Sequence, residues 1–206
     1  MLETKIKSNL SIEKSRSQAA QDLFVLLCLN EKRGGRFLDL GCHHPVNINN
    51  TFLLESEYGW TGLSYDVDQS LLDLFPQFRK TKGLNRDCTD PDNNVILSFS
   101  DHFDYLSLDL EPASRTLQCL KKLNLDKINF SVITFEHDFY RFGDEIKSES
   151  RSILRDHGYL LLCEDVSIKE NSFEDWYVNP ELIDTSRIVE FKSSFKDYRD
   201  ILFKEV

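Results

Sequence analysis

Two carboxylates follow short apolar runs near the start of the sequence, and their spacing indicates a binding function. The run 37–40 contains Asp39 and is followed by Gly41, as in a buried parallel strand that gives way to a tight turn. A second run, 63–66, ends in Asp66 at the distance expected for the next strand of one βα unit. An acid at that place can accept hydrogen bonds from ribose hydroxyls, so the pair predicts a ligand that contains a nucleoside.

The turn after the first run indicates which nucleoside ligand is favoured. Gly41 is followed by Cys42, His43, His44 and Pro45, so the second and third glycines of a dinucleotide fingerprint are missing. Bulky side chains crowd out the pyrophosphate that such a loop would hold at a helix N-terminus. The smaller amino-acid end of S-adenosylmethionine would still fit, so the loop favours that cofactor.

These residues must be positioned by a sheet, and strand patterns alternate with helical patterns along the chain. Strands are predicted over 36–40, 61–65, 83–85, 103–109 and 127–135, each followed by a helical segment, one of which begins at Asp90. The segments 159–166 and 173–178 are predicted to form an antiparallel hairpin. This order predicts an α/β fold with a mostly parallel sheet, one antiparallel strand and helices on both faces.

Acids stand at the carboxyl ends of these predicted strands, and ligands of such sheets bind at that edge. The sequence therefore predicts one rim of carboxylates, made of Asp39, Asp66, Asp87, Asp109 and Glu136.

Composition restricts the class of protein. The 206 residues suit a single domain, 17–206, preceded by an arm over 1–16 that is either loose or a short helix. A net charge of −10 argues against a nucleic-acid partner, although the small basic clusters do not exclude a local basic patch. Five cysteines without C-x-x-C spacing are expected to be reduced thiols, which is typical of a cytoplasmic protein. No apolar run reaches membrane-spanning length, so no membrane association is expected.

Several stretches carry a family resemblance through their order and spacing. They are 17–24 (SQAAQDLF), 39–45 (DLGCHHP), Asn50-Thr51 with Glu55, Gly59-Trp60, 104–111 (DYLSLDLE), 133–137 (ITFEH) and 174–177 (EDWY). Together they resemble the FkbM-type family of S-adenosylmethionine-dependent methyltransferases over residues 17–180. The resemblance implies a single-domain, Rossmann-like class I methyltransferase fold with a seven-stranded sheet. It also implies O-methyl transfer to a hydroxyl of a sugar, glycan or other small natural product.

The sequence departs from the family pattern at two places. The glycine typical after the small residue of the first motif is absent, and Pro112 stands where a glycine often follows the acid pair Asp109 and Glu111. These departures leave open an S-adenosylmethionine-binding protein with altered catalysis. A methyltransferase for a protein or nucleic-acid acceptor is a separate alternative. A homo-oligomer is also possible.

The cofactor-binding roles follow from strand-end placement and from the resemblance. Asp66 is expected to bind the ribose hydroxyls, and the loop from Gly41 to Pro45 the methionine portion, with Asp39 ordering the turn or meeting the ammonium group. Asp87 and the Cys88 amide suit adenine. His43 and His44 do not predict zinc, because adjacent side chains diverge and no third ligand is suitably spaced.

One short helix offers further candidates. Thr51 and Glu55 share a helix face, and Glu55 either faces the ammonium group or is an exposed helix residue.

A second segment with candidate residues precedes the first of the predicted strands. Gln18, Gln21 and Asp22 there form either a lid over the cofactor or a solvated helix face.

The reacting end of the site is expected after the fourth strand. Asp109 would hold the donor ammonium group or the acceptor hydroxyl, and Glu111 could turn toward the acceptor. His137 is the first candidate for general base, because its ordinary pKa lies close to working pH; the alternative is a histidine that hydrogen-bonds across the sheet edge. Asp109 and Glu111, together with Glu136 and Asp138, could instead assemble a divalent cation site that acidifies the hydroxyl.

Overall fold

The computed structural model describes residues 2–90 and 102–205. The helix predicted to begin at Asp90 lies outside the described residues. No helix in the two described ranges combines the length and the apolar character needed to cross a membrane.

The main sheet has eight strands in the order β4-β3-β2-β5-β6-β8-β7-β9. Its strands are β2 (Arg36–Leu40), β3 (Thr61–Asp66), β4 (Gly83–Asn85), β5 (His102–Leu108), β6 (Asn129–Glu136), β7 (Leu160–Ile168), β8 (Asn171–Val178) and β9 (Ser193–Ser194). Neighbours pair in parallel except at β8, which is antiparallel to both β6 and β7. The predicted α/β fold with one reversed strand is confirmed. The eighth strand, β9, was not predicted, because two residues are too few to produce an alternating pattern.

Helices cover both faces of this sheet. They are α1 (Gln21–Cys28), α2 (Phe52–Tyr58), α3 (Gln69–Leu72), α4 (Phe75–Phe78), α5 (Ala113–Lys122), α6 (Phe139–Phe142), α7 (Asp144–Asp156), α8 (Thr185–Ile188) and α9 (Tyr198–Leu202), with 3-10 turns at Ile12–Lys14 and Val189–Phe191. Two short helices, α3 and α4, follow Asp68, and Pro76 lies in the first turn of α4, where its missing N–H leaves no bond unmade.

Two apolar cores lie on opposite sides of the sheet. Phe37 and Tyr105 belong to the core covered by α1, α2, α8 and α9, whereas the adjacent residues Leu38 and Leu106 belong to the core covered by α5 and α7. All four side chains are fully buried. Successive strand residues point to opposite faces, so burial on both faces produces the continuous apolar runs seen in the sequence.

The two ends of the described chain meet in a separate small sheet. β1 (Leu2–Thr4) pairs antiparallel with β10 (Phe203–Glu205). The first residues of the predicted arm therefore form a paired strand and not a loose segment.

A buried ionic network fixes α7 to the hairpin β7–β8. Arg151 donates from Nε and Nη2 to the two oxygens of Asp175, at 2.7 and 2.8 Å, and from Nη2 to Asp165 at 2.9 Å. Lys147 Nζ lies 3.0 Å from Asp165. Both carboxylates are fully buried, so their charge is tolerated only because these cations compensate it.

Removal of Arg151 tests this network. We expect Arg151→Ala to lower the free energy of unfolding by about 3–5 kcal/mol, because two buried carboxylates lose their shared partner. The matched control is Arg155→Ala on the same helix, since the Arg155 side chain is 71% exposed and its contacts with Asp156 and Ser152 lie at the surface. Denaturant unfolding should show little change for the control, and equal losses for the two variants would contradict the assignment.

Candidate active site

A cleft of about 340 Å³ lies at the carboxyl ends of the central strands. The predicted site residues that line it are Asp39, Gly41, Cys42, His43, Asp66, Cys88, Asp109 and Glu111. The predicted site residues that lie outside its lining are His44, Thr51, Glu55, Asp87 and His137. The strand-end acids from β2, β3 and β5 are therefore neighbours in one cleft.

Gly41 forms the floor of the turn after β2. Its φ is +89°, and a Cβ atom added there would lie 1.8 Å from the carbonyl oxygen of Asp109. Gly41 and Cys42 both donate their N–H groups to the carbonyl of Tyr65, at 2.9 and 3.0 Å. The turn thus packs backbone against backbone between β3 and β5, which only glycine permits.

Asp66 shapes the loop as well as facing the cleft. Its carboxylate accepts from the backbone N–H groups of His43, Val67 and Asp68, at 2.8, 2.8 and 2.9 Å. A carboxylate has about four lone-pair positions, so one is left for a ligand hydroxyl. The residue predicted to bind ribose is thereby held in a fixed orientation.

Asp39 is buried at the base of the cleft, and Thr51 orients it. The Thr51 hydroxyl donates to Asp39 at 2.8 Å, while Arg79 donates to the same hydroxyl oxygen at 3.1 Å. Burial raises the pKa of Asp39 to about 6. Thr51 therefore acts behind the cleft and does not face a ligand.

Two other predicted cofactor residues are turned away from the cleft. Glu55 accepts from Arg79 Nε at 2.9 Å and from the backbone N–H of Lys80, so it is not free to meet an ammonium group. His44 Nδ1 accepts two backbone N–H groups of its own loop, at 3.1 Å, so this ring stabilises the loop and does not line the cleft.

Asp87 is held by an ion pair beside the cleft. Arg115 donates to its carboxylate at 2.5 Å, and this hydrogen bond lowers the pKa of Asp87 to about 2. The lining carries the neighbouring Cys88 instead, so the adenine prediction is retained for Cys88 alone.

His137, the predicted general base, does not reach the cleft. Its ring is fully buried, Nδ1 accepts from the Phe139 N–H at 3.1 Å, and Nε2 lies 3.5 Å from Asp175. The cause is strand alternation, because Glu136 at the end of β6 faces the cleft and the following side chain turns to the other side. This placement does not support the assignment of His137 as the base.

A pair of acids, Asp109 and Glu136, lines the end of the cleft where the general base was predicted. Burial, followed by repulsion from Asp109, raises the pKa of Glu136 far above its ordinary value, and burial also raises the pKa of Asp109. Burial and the like charge of the neighbouring acid therefore both favour the protonated form of Glu136. Among the described residues, Glu136 Oε2 has no hydrogen-bond partner, although the residue is only 6% exposed. Its place at the end of β6, in line with Asp109, was the signal for it in the sequence.

Two further acids were not predicted as cofactor-binding or catalytic residues. Glu174 of β8 lies opposite Glu136 in the sheet and accepts from Gln21 and Trp176; burial raises its pKa to about 8. Asp138 lines the cleft and accepts from Arg141 at 2.9 Å.

Gln21 and Asp22 are 1% and 0% exposed, so neither forms a lid nor a solvated face. Gln18 does line the cleft.

The divalent cation site that was an alternative prediction has its acids already bound in part by an arginine of this chain. Oxygen atoms of Glu111, Glu136 and Asp138 lie within 4.8 Å of one another. Arg141 Nη1 already bonds Glu111 at 3.1 Å as well as Asp138, so a guanidinium group occupies this position.

The Gly41 turn can be tested against a second left-handed glycine. Gly34 has φ +67°, and a Cβ atom added there would meet nothing within 4 Å beyond its chain neighbours, so Gly34→Ala should cost only the strain of about 1–2 kcal/mol. Gly41→Ala must also displace the Asp109 carbonyl, so its loss of unfolding free energy should be larger. Equal losses in denaturant unfolding would show that the close contact is not required.

Repulsion within the acid pair predicts a pH-dependent stability. The raised pKa of Glu136 means that the folded state keeps a proton which the unfolded chain releases above about pH 4.3, so stability falls as pH rises. Glu136→Gln should therefore raise the melting temperature at pH 8, by about 2–4 °C per kcal/mol of repulsion removed, and less at pH 5. The exposed hairpin residue supplies the control, Glu170→Gln. A lower melting temperature for Glu136→Gln at pH 8 would contradict the pair.

Comparison with solved structures identifies the fold. The chain is similar to a putative rRNA-methylase from Clostridium thermocellum, with TM-score 0.53, 14% identity, 82% of this chain and 99% of that chain covered. It is also similar to magnesium protoporphyrin IX methyltransferase from Synechocystis PCC 6803 with bound SAM, with TM-score 0.52, 12% identity and 84% and 86% covered. A third similar structure is Aeropyrum pernix fibrillarin with natively bound S-adenosyl-L-methionine, with TM-score 0.51, 16% identity and 79% and 75% covered.

No protein-family model matches the sequence, and no curated protein matches it. The FkbM-type assignment therefore stays a prediction. The solved structures establish the coarser conclusion, which is that this chain has the class I S-adenosylmethionine-dependent methyltransferase fold.

Proposed function

We propose that the protein binds S-adenosylmethionine and transfers its methyl group to a hydroxyl of a small molecule, such as a sugar, glycan or other natural product. The observation that carries this proposal is the joint placement of Asp39, Asp66 and Asp109 in one cleft, beside the closed turn at Gly41. Its support from comparison is the fold, which is shared with structures that hold this cofactor.

The residues of the cleft fit the parts of the cofactor. Asp66 has one lone-pair position left for a ribose hydroxyl, and Cys88 lines the wall next to the expected adenine position. Gly41 leaves room for a close approach to the backbone, while the carboxylates of Asp39 and Asp109 suit a positively charged ammonium group.

The acid pair suits the proton transfer that the reaction needs. S-adenosylmethionine supplies a methyl group on positively charged sulfur, and the acceptor oxygen forms its new bond to carbon as the carbon–sulfur bond breaks. The hydroxyl proton then passes to the Asp109–Glu136 pair, in which the member that is still ionised accepts it. Burial raises the pKa of both acids, so the member that is ionised is a stronger base than an ordinary carboxylate.

The charge of the cleft argues against a nucleic acid as the methyl acceptor. The cleft is lined by several carboxylates, and the whole chain has a net charge of −10, so a phosphate backbone would be repelled. The alternative of a cofactor-binding protein without catalysis predicts binding but no release of S-adenosylhomocysteine with any acceptor.

Calorimetry tests the cofactor assignment. We expect wild-type protein to bind S-adenosylhomocysteine, and Asp66→Ala to bind it about 10–100-fold more weakly, because a hydrogen bond to a charged group is lost. Asp126→Ala is the control, since that carboxylate is 86% exposed and lies outside the cleft lining. Wild-type protein that is folded yet fails to bind would overturn the proposed function.

A further inference from the structure

The two ends of the cleft differ in charge. Arg86 follows β4, and Arg115 is bonded to Asp87 on the same side, so the guanidinium groups in the lining lie at the β4 end. Glu136 and Asp138 lie at the β6 end, on the far side of β3, β2 and β5 in the sheet. Because Asp66 at β3 and Gly41 at β2 would hold the cofactor, the acidic β6 end faces the acceptor.

The negative charge at the β6 end is not fully compensated by the chain. Three carboxyl side chains, those of Glu111, Glu136 and Asp138, line this end of the cleft. Arg141 bonds both Glu111 and Asp138 and can offset only one of these two charges. Within the described residues, no hydrogen-bond donor reaches Glu136 Oε2, although this side chain lines the cleft and is more than nine-tenths buried.

We propose that this end of the cleft selects an acceptor that carries an ammonium group beside the methylated hydroxyl, such as an amino sugar or an amino alcohol. The inference rests on the proposed function and adds the chemical class of its substrate. An ammonium group supplies the donors and the positive charge that Glu136 Oε2 lacks.

The chemistry of methyl transfer is consistent with an ammonium group on the acceptor. A protonated amine has no lone pair, so it is recognised without competing with the hydroxyl as nucleophile. An acceptor with a phosphate would instead be repelled by Glu111 and Asp138. Tyr140 lines the same end and is half-exposed, so its ring face is available to a cation.

Titration of small probes tests the charge preference. The protein is saturated with S-adenosylhomocysteine and titrated by calorimetry with one series of glucosamine, glucose and glucose 6-phosphate. A parallel series uses 2-aminoethanol, ethylene glycol and 2-hydroxyethyl phosphate. We expect the amine of at least one series to bind at least about tenfold more tightly than its neutral and anionic partners. A peptide with a single lysine serves as the macromolecular comparison.

Variants connect the preference to the acidic end. Glu136→Gln should remove most of the tenfold difference, and Glu111→Gln, whose side chain is 65% exposed, provides a second variant if the first fails to fold. Glu170→Gln in the exposed hairpin removes the same charge elsewhere and should retain the preference.

The remaining outcomes separate this inference from the proposed function. Equal or tighter binding of the neutral or anionic probes, binding of the lysine peptide alone, or no binding of any amine to the loaded protein would overturn the amine inference. Failure to bind S-adenosylhomocysteine would overturn the proposed function itself.

Discussion

Parallel pairing of the central strands is the constraint on which the site depends. β3, β2, β5 and β6 run in one direction, so acids that are far apart in the sequence end at one edge. The contact between Gly41 and the Asp109 carbonyl then brings two strand ends together without an intervening side chain. Crowding of carboxylates follows from this geometry. Burial is the main cause of the raised pKa of Asp109 and of Glu136, and repulsion from neighbouring acids adds to it.

Much of this arrangement can be predicted from the sequence, because two local sequence patterns indicate it. Continuous apolar runs predict strands buried on both faces, and a strand-end acid followed by glycine predicts a turn at the ligand edge. Such patterns predict Asp39, Asp66 and Asp109 at that edge, and all three line the cleft. The single reversed strand follows equally from the hairpin pattern, because one strand of an antiparallel hairpin must run against a parallel sheet; it is β8, which lies between β6 and β7.

The failures have physical causes that a linear pattern does not contain. Glu55 shares a helix face with Thr51, as its spacing predicts. Its carboxylate is bound by Arg79, which follows α4, and is thereby held away from the cleft. His137 follows a strand-end acid, yet side-chain alternation directs it into a buried ionic network. Glu174 becomes a neighbour of Glu136 only through the antiparallel register of β8. The Glu55 and Glu174 cases depend on long-range contacts, about which propensity and spacing carry no information, whereas the His137 case depends on the residue at which β6 ends.

Arg79 has a mechanical consequence for the cleft. Its buried guanidinium group binds Glu55, Asn49, Thr51 and the Pro45 carbonyl together, so the loop after β2 is braced from behind. The opposite wall is the four-residue helix α6, whose Tyr140 is half-exposed. One wall is therefore pre-organised and the other is lightly supported. An incoming molecule therefore meets a surface held by buried hydrogen bonds on one side and the exposed side chains of α6 on the other.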